Sequence, residues 1–225
     1  HGITREEMDA FAIESLTRAK AAIDTGKLHA EIAPVTVKTR KGEHQVTDDE
    51  QPHKGNAEKI PSLRPAFAKD GTITAANSSS ISDGASALII AGEAAITQHN
   101  LTPMARIVAH SRFSRAPEEF TLAPVGAIEA LLAKTGWGVA DVDLWEINEA
   151  FAMVTMLSMR AFDLDHAKVN VHGGACAQGH PIGSTGSRII VTLMHALKQY
   201  GKQRGVAALC IGGGEATAVA IEMIS

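Results

Sequence analysis

Apolar side chains at Met8, Phe11, Ala12, Leu16, Ala19 and Ile23 recur at the spacing that keeps them on one face of a helix. Thr4-Arg5-Glu6-Glu7 stands ahead of them with capping-box spacing, and Gly26 is placed to close the segment. Ile32-Ala33-Pro34-Val35-Thr36-Val37 reads as a short strand. From about Arg40 to Ser62 the chain is polar, with Gly, Pro, Asp and His scattered through it. This stretch is expected to be a long excursion rather than core. Thr72 to Ala76 reads as extended, Asn77-Ser78-Ser79-Ser80 as a polar turn, and the apolar run Ala85 to Ala91 as a strand buried on both faces.

A short helix is predicted over Glu93 to His99 and a strand around Ala105 to Ala109. A helix opened by Pro124 follows, with Val125, Ile128, Leu131 and Leu132 on one face and Gly136 as its stop. The last third alternates. Val142 to Ile147 is strand-like and leads into a helix beginning near Asn148, and Val169 to Val171 is a short strand before a glycine-rich loop. Ile189, Leu193 and Leu197 mark a helix ended by Gly201. Val206 to Leu209 is a strand, with Ala216 to Ile221 as its returning partner. Such alternation predicts a layered α/β fold with its sites at strand ends.

Composition narrows this picture. With 225 residues, 45% of them hydrophobic and 20% charged, the chain has the makings of a buried core. A net charge of -4 made of mixed signs gives no footprint for nucleic acid or for an anionic membrane surface. No apolar run has the length of a membrane span. Two cysteines, Cys176 and Cys210, do not build a disulfide framework, so a reducing compartment is expected. The chain starts at His1 and runs straight into a helix start, which suggests loss of an upstream piece by processing, cleavage or truncation.

Candidate chemistry gathers at the strand–helix junctions. Gly173 to Gly186 forms a glycine-rich loop before a helix, and glycine lets backbone approach a ligand closely. The loop matches neither the P-loop nor the dinucleotide pattern. It reads as a phosphate-binding turn, a purely structural turn or a catalytic loop. Within it, Gly179 and Pro181 restrain His180, a residue suited to proton transfer near neutral pH. His172, Cys176 and His180 stand four apart and would share a helix face able to meet zinc, but five glycines and a proline argue against a helix. The expected metal content is none. Cys210 ends an apolar strand before Gly212-Gly213-Gly214. It is either a small buried hydrophobe or a thiolate base beside His180, with the Gly212 N–H as an oxyanion donor. Asn148 is either a helix N-cap or an amide that orients a water.

Asn148-Glu149-Ala150-Phe151-Ala152, the Gly173–Arg188 loop and Cys210-Ile211-Gly212-Gly213-Gly214 occur in an order and at separations that resemble the C-terminal portion of a thiolase. Leu63-Arg64-Pro65-Ala66-Phe67, Gly71 to Ser79 and the opening helix fit the same family. The resemblance implies a layered αβαβα fold made of two similar halves. It would place part of a loop domain for CoA binding at 1–81, the end of the N-terminal half at 82–103 and the complete C-terminal half at 104–225.

It also implies a reaction: reversible Claisen condensation of acetyl-CoA with an acyl-CoA, or thiolysis of a 3-ketoacyl-CoA. Coenzyme A is then substrate and product, and no further cofactor is needed. Cys210 would move the α-proton, and His180 would activate the nucleophilic cysteine and donate to the oxyanion hole. Asn148 would hold the water that completes the hole, with the Gly212 N–H stabilising the tetrahedral state. Ser79 would contact the pantetheine arm, and Phe67, Ala150 and Phe151 would line the tunnel.

The family's nucleophilic cysteine would lie upstream of this sequence, and Cys176 sits where the family carries a small or apolar residue. His53 and Lys54 stand where the CoA nucleotide is expected, and Glu215 replaces a usual apolar or small residue. The implied partners are acyl-CoA and CoA, the N-terminal half of the same enzyme, and further copies in a dimer or tetramer, with no nucleic acid and no membrane. The implied compartment is the cytoplasm or an organelle matrix. Two other readings stand beside this one: a noncatalytic CoA-binding or assembly fragment, and a related ketoacyl synthase.

Overall fold

The computed structural model describes residues 1–224, and Ser225, the last residue of the expected C-terminal half, lies outside the described residues. Helix α1 (Arg5–Asp24) begins at the predicted capping box. Thr4 Oγ1 accepts from the Glu7 amide at 3.2 Å, and Glu7 Oε2 accepts from the Thr4 amide at 2.7 Å. A hairpin of β1 (Val35–Thr39) and β2 (Gly42–Val46) follows, antiparallel from Val35↔Val46 to Thr39↔Gly42. The strand expected at Ile32–Val37 therefore starts later, and the polar excursion contains its partner. Main-chain pairing supports such a ribbon without an apolar face, and both strands lie almost wholly in solvent. A short helix α2 (Glu50–Lys54) and a 3-10 turn (Ala57–Ser62) complete the excursion, anchored by buried Pro52 and Ile60.

Two extended segments are corrected. Thr72 to Ala76 is not a strand but a turn tied by Asn77, whose Oδ1 accepts from the Thr74 amide at 2.8 Å. Its Nδ2 donates to Asp9 Oδ1 at 2.9 Å and to the Thr72 carbonyl at 3.0 Å. Polar side chains supply the main-chain partners that a ladder would have supplied. Ala85 to Ala91 carries no strand either, and Ile89 and Ile90 are 95% and 76% exposed. An apolar run becomes a buried strand only where neighbours accept its hydrogen bonds, and no strand among the described residues lies beside it.

After α3 (Glu93–His99) the chain builds one sheet and its two covers. The elements are β3 (Ala105–Ser114), α4 (Ala123–Thr135), β4 (Leu144–Ile147), α5 (Ala152–Phe162), α6 (Ala175–Gln178), α7 (Thr185–Gln199), β5 (Arg204–Cys210) and β6 (Glu215–Met223). The strand order is β3-β6-β5-β4, with β4 and β5 parallel and the other pairs antiparallel. Alternation along the strands sorts side chains between the two faces. Val206, Ala208, Ala216, Ala218 and Ala220 pack with Trp145 and with Ala127, Ile128 and Leu131 of α4. Ala207 and Ile221 pack with Ile189, Leu193 and Leu197 of α7. Gly126 has no room for a side chain against Phe113, so glycine there sets how closely α4 approaches β3.

Helix α1 docks onto the last third of the chain. Arg18 Nη1 donates to the Val169 carbonyl at 2.7 Å and the His166 carbonyl at 3.0 Å, and Phe11 stacks on His166 with ring centroids 5.0 Å apart. Among the described residues, no helix is long and apolar enough to cross a membrane.

Candidate active site

Because β4 and β5 are parallel, their carboxyl ends share one edge of the sheet, and the residues that follow them are neighbours. The Asn148 amide donates to the Ala208 carbonyl at 2.9 Å, and Cys210 closes β5 two residues later. The N-cap reading of Asn148 fails, since α5 starts at Ala152 with Phe151 as its N-cap. Asn148 is buried instead. Its Nδ2 lies 3.4 Å from His180 Nε2, and its Oδ1 has no hydrogen-bond partner among the described residues.

His180 reaches this edge through the glycine loop, whose only helical turn is the short α6. Gly173 at φ +78° presses against the Ser15 carbonyl and Ala19 of α1, and Gly179 at φ +93° turns the chain beside Ser82. The His180 amide donates to the Ser80 carbonyl at 2.9 Å, and Ile81 bridges to His180 in parallel. The ring stands between two polar partners, with Thr185 Oγ1 2.6 Å from Nδ1 and Asn148 at Nε2. Burial, with help from the Arg188 charge, lowers the His180 pKa and favours a neutral imidazole.

Glu149, beside Asn148, fastens the loop from below. Its Oε2 accepts from Ser15 Oγ at 2.7 Å and from the Cys176 amide at 3.0 Å, and its Oε1 accepts from Asn170 Nδ2 at 2.8 Å. Burial raises its pKa, and these three donors oppose that shift. Asn170 in turn accepts from the Ile147 amide at 2.8 Å, so the end of β4, the loop and α1 form one polar knot.

The Cys210 thiol is buried, and burial pushes its pKa up to about 11. Beyond it the chain folds into a tight turn, with the Ile211 amide donating to the Glu215 carbonyl at 2.7 Å and the Gly214 amide to the Ile211 carbonyl at 3.0 Å. Gly212 is exposed with open space where a side chain would stand. Glu215 is also exposed, its carboxylate folded over Gly213.

Ser79, Ala150 and Phe151 come together as one contact. The Ser79 amide and hydroxyl both donate to the Ala150 carbonyl, at 3.0 and 3.1 Å, and Ser78 bridges to Phe151. Phe67 stands apart, 79% exposed. The residues spaced four apart do not converge. His172 is buried beside Tyr200 with no hydrogen-bond partner for either ring nitrogen among the described residues, and Cys176 sits over the Glu149 carbonyl. Burial raises the Cys176 thiol well above its ordinary value, and its side chain lines a cavity of about 510 Å³ with Leu16, Lys54, Lys59 and Ile60.

Two contacts around His180 and its loop are not legible in the sequence. Thr185 was read only as part of the glycine loop, although its place in the first turn of α7, five residues after His180, was a usable signal. Glu149 was visible in its motif, but its partners Ser15 and Asn170 are too distant in the chain for spacing to connect them.

The comparisons with known proteins concern the chain as a whole. The family described as thiolase, C-terminal domain, matches residues 101–223, and the family described as thiolase, N-terminal domain, matches residues 1–94. An acetyl-CoA acetyltransferase of Yarrowia lipolytica is 48% identical over 224 residues, which is all of this chain and 56% of that protein. The crystal structure of the Bacillus anthracis acetyl-CoA acetyltransferase superposes with a TM-score of 0.95 at 43% identity, over 99% of this chain and 57% of that one. Human mitochondrial 3-ketoacyl-CoA thiolase in complex with CoA gives a TM-score of 0.91 at 42% identity, over all of this chain and 56% of that one. The chain thus spans somewhat more than half the length of the relatives it matches.

Proposed function

Because this chain belongs to the thiolase family, we propose that it supplies the acid–base half of an acyl-CoA acyltransferase site whose nucleophilic cysteine lies on a segment outside these 225 residues. The observation that carries the reading is the pair of parallel strands β4 and β5, with Cys210 ending one and Asn148, just past the other, lying 3.4 Å from His180 Nε2. The substrates are acyl-CoA thioesters, as for the relatives named acetyl-CoA acetyltransferase and 3-ketoacyl-CoA thiolase. Coenzyme A enters or leaves as a reactant.

In this reading the neutral His180 takes the proton of the nucleophilic cysteine through Nε2. The resulting thiolate attacks the thioester carbonyl, and CoA leaves with the acyl group now on the enzyme. His180, then protonated, donates to the thioester oxygen, and Asn148 Oδ1 holds a water that completes the oxyanion hole. Cys210 gives its proton to the departing CoA thiolate and, so ionised, removes the α-proton of acetyl-CoA. A thiol whose ordinary pKa is raised by burial is a strong base once ionised, which suits carbon acids. The enolate attacks the acyl-enzyme, a carbon–carbon bond forms, the carbon–sulfur bond to the enzyme breaks, and the released cysteine thiolate takes its proton back from His180. Ser79, Ala150 and Phe151 border the pantetheine arm, Phe67 lies at the mouth of the tunnel, and Gly212 N–H supports the tetrahedral state. The compartment assigned is the cytoplasm or an organelle matrix, and the working assembly is a dimer or tetramer of complete subunits.

Thiolysis of a 3-ketoacyl-CoA, followed with this chain alone and with the complementary upstream segment supplied, tests the reading. Turnover by the chain alone would overturn the placement of the nucleophile. In the complete enzyme Cys210→Ala should stop condensation while leaving acyl-enzyme formation measurable, and His180→Ala should impair both. Equal loss of both steps in Cys210→Ala would remove the assigned division of labour.

A further inference from the structure

We propose that Thr185 is a positioning residue whose hydroxyl holds His180 in the Nδ1–H tautomer, leaving Nε2 as the lone-pair nitrogen that faces Asn148. Three contacts on two sides of the ring carry this. A threonine hydroxyl has one proton to give and lone pairs to accept with. Thr185 Oγ1 donates its proton to the Pro181 carbonyl at 3.0 Å, within the first turn of α7. The bond of 2.6 Å between the same oxygen and His180 Nδ1 must then take its proton from the ring. On the opposite edge, Asn148 Nδ2 can only donate, so His180 Nε2, 3.4 Å away, is the acceptor. The neighbours on both edges therefore require one and the same tautomer.

Thr185 is well fitted to this task. It is fully buried, it is held at the start of a long helix, and its β-branched side chain has few rotamers to visit. The lowered pKa of His180 keeps the ring neutral near neutral pH, where tautomers matter. The catalytic consequence rests on the thiolase reading: a bare Nε2 can receive a thiol proton, and the same nitrogen then carries it toward the thioester oxygen. In the other tautomer Nε2 is already protonated and cannot act as the base.

Long-range proton–nitrogen NMR of the imidazole rings in this chain tests the tautomer without any turnover. The His180 signals are identified by their loss in His180→Gln. The expected result at neutral pH is a pyrrole-type Nδ1 and a pyridine-type Nε2, retained in Thr185→Ser. In Thr185→Val only Asn148 still favours this tautomer, across 3.4 Å, so part of the Nε2 signal should move toward the pyrrole-type position. A pyridine-type Nδ1 in the unaltered chain overturns the proposal, as does an unchanged tautomer in a folded Thr185→Val. If Thr185→Val does not fold, the unaltered chain and Thr185→Ser still decide. Because the spectrum is independent of acyl transfer, failure of the tautomer and failure of the thiolase reading are distinguishable.

Discussion

Glu149 fills the space over Gly174 so closely that a methyl group on the glycine would collide with its carboxylate. Gly174 has extended backbone at φ -148°, which any residue adopts, so contact rather than conformation demands glycine here. The carboxylate cannot retreat easily, because Ser15, Asn170 and the Cys176 amide all hold it.

Gly174→Ala should therefore destabilise the chain by about 1–3 kcal/mol, the usual cost of overpacking a filled site. The urea midpoint of unfolding measures this. An unchanged midpoint would mean that Glu149 moves aside freely and that the knot beneath the loop is loose.

Stability should fall as pH rises through the neutral range. Burial raises Glu146 from 4.5 to about 8 and Glu31 from 4.5 to about 7, with Arg188 opposing both shifts. The folded chain holds protons that the unfolded chain releases above its ordinary carboxyl pKa. This contribution is complete below about pH 4.5 and is lost as pH passes through the folded values. Glu146→Gln keeps the buried site neutral at every pH. It should gain about 1–3 kcal/mol over the unaltered chain between pH 5 and pH 8. Urea unfolding across that range is the measurement, and parallel curves for the two chains would refute the account.

Cys210 should resist alkylation. A thiol pushed from 9.0 to about 11 by burial carries roughly 100-fold less thiolate at pH 8 than an ordinary one. Iodoacetamide labelling, resolved by peptide mass, should give slow modification that quickens about tenfold per pH unit. Rapid labelling at neutral pH would show that a nearby charge or dipole stabilises the thiolate in this chain.

The chain should self-associate. Ile81, Ile89, Ile90 and Ile182 are 89%, 95%, 76% and 69% exposed, and exposed apolar side chains of this size favour association. Sedimentation velocity should show concentration-dependent species, and replacing Ile89 and Ile90 together by Ser should shift the population toward monomer. A monodisperse monomer from the unaltered chain would count against this.

Legibility of the sequence followed the range of the forces involved. The capping box of α1, the glycine stops at Gly136 and Gly201 and the apolar faces of α4 and α7 are local, so a few residues suffice to read them. His180 and Cys210 were visible because glycine and proline isolate them in the chain. Their arrival at one sheet edge was not, since it depends on β4 and β5 pairing across nearly 60 residues. The run Ala85 to Ala91 misled for the converse reason: its composition suits a buried strand, while no strand among the described residues lies beside it. Asn148 stayed ambiguous in the sequence because Asn caps helices well, while in the fold the helix begins one turn later.

The docking of α1 also sets an order of assembly. Ser15 meets Glu149 across 134 residues, and Arg18 meets Val169 across 151. Helix α1 therefore keeps part of its apolar face unsatisfied during synthesis until Glu149 and Val169 have been made. Contacts of such long sequence range are slow to form, so α1 and the Gly173–Arg188 loop settle together rather than in chain order.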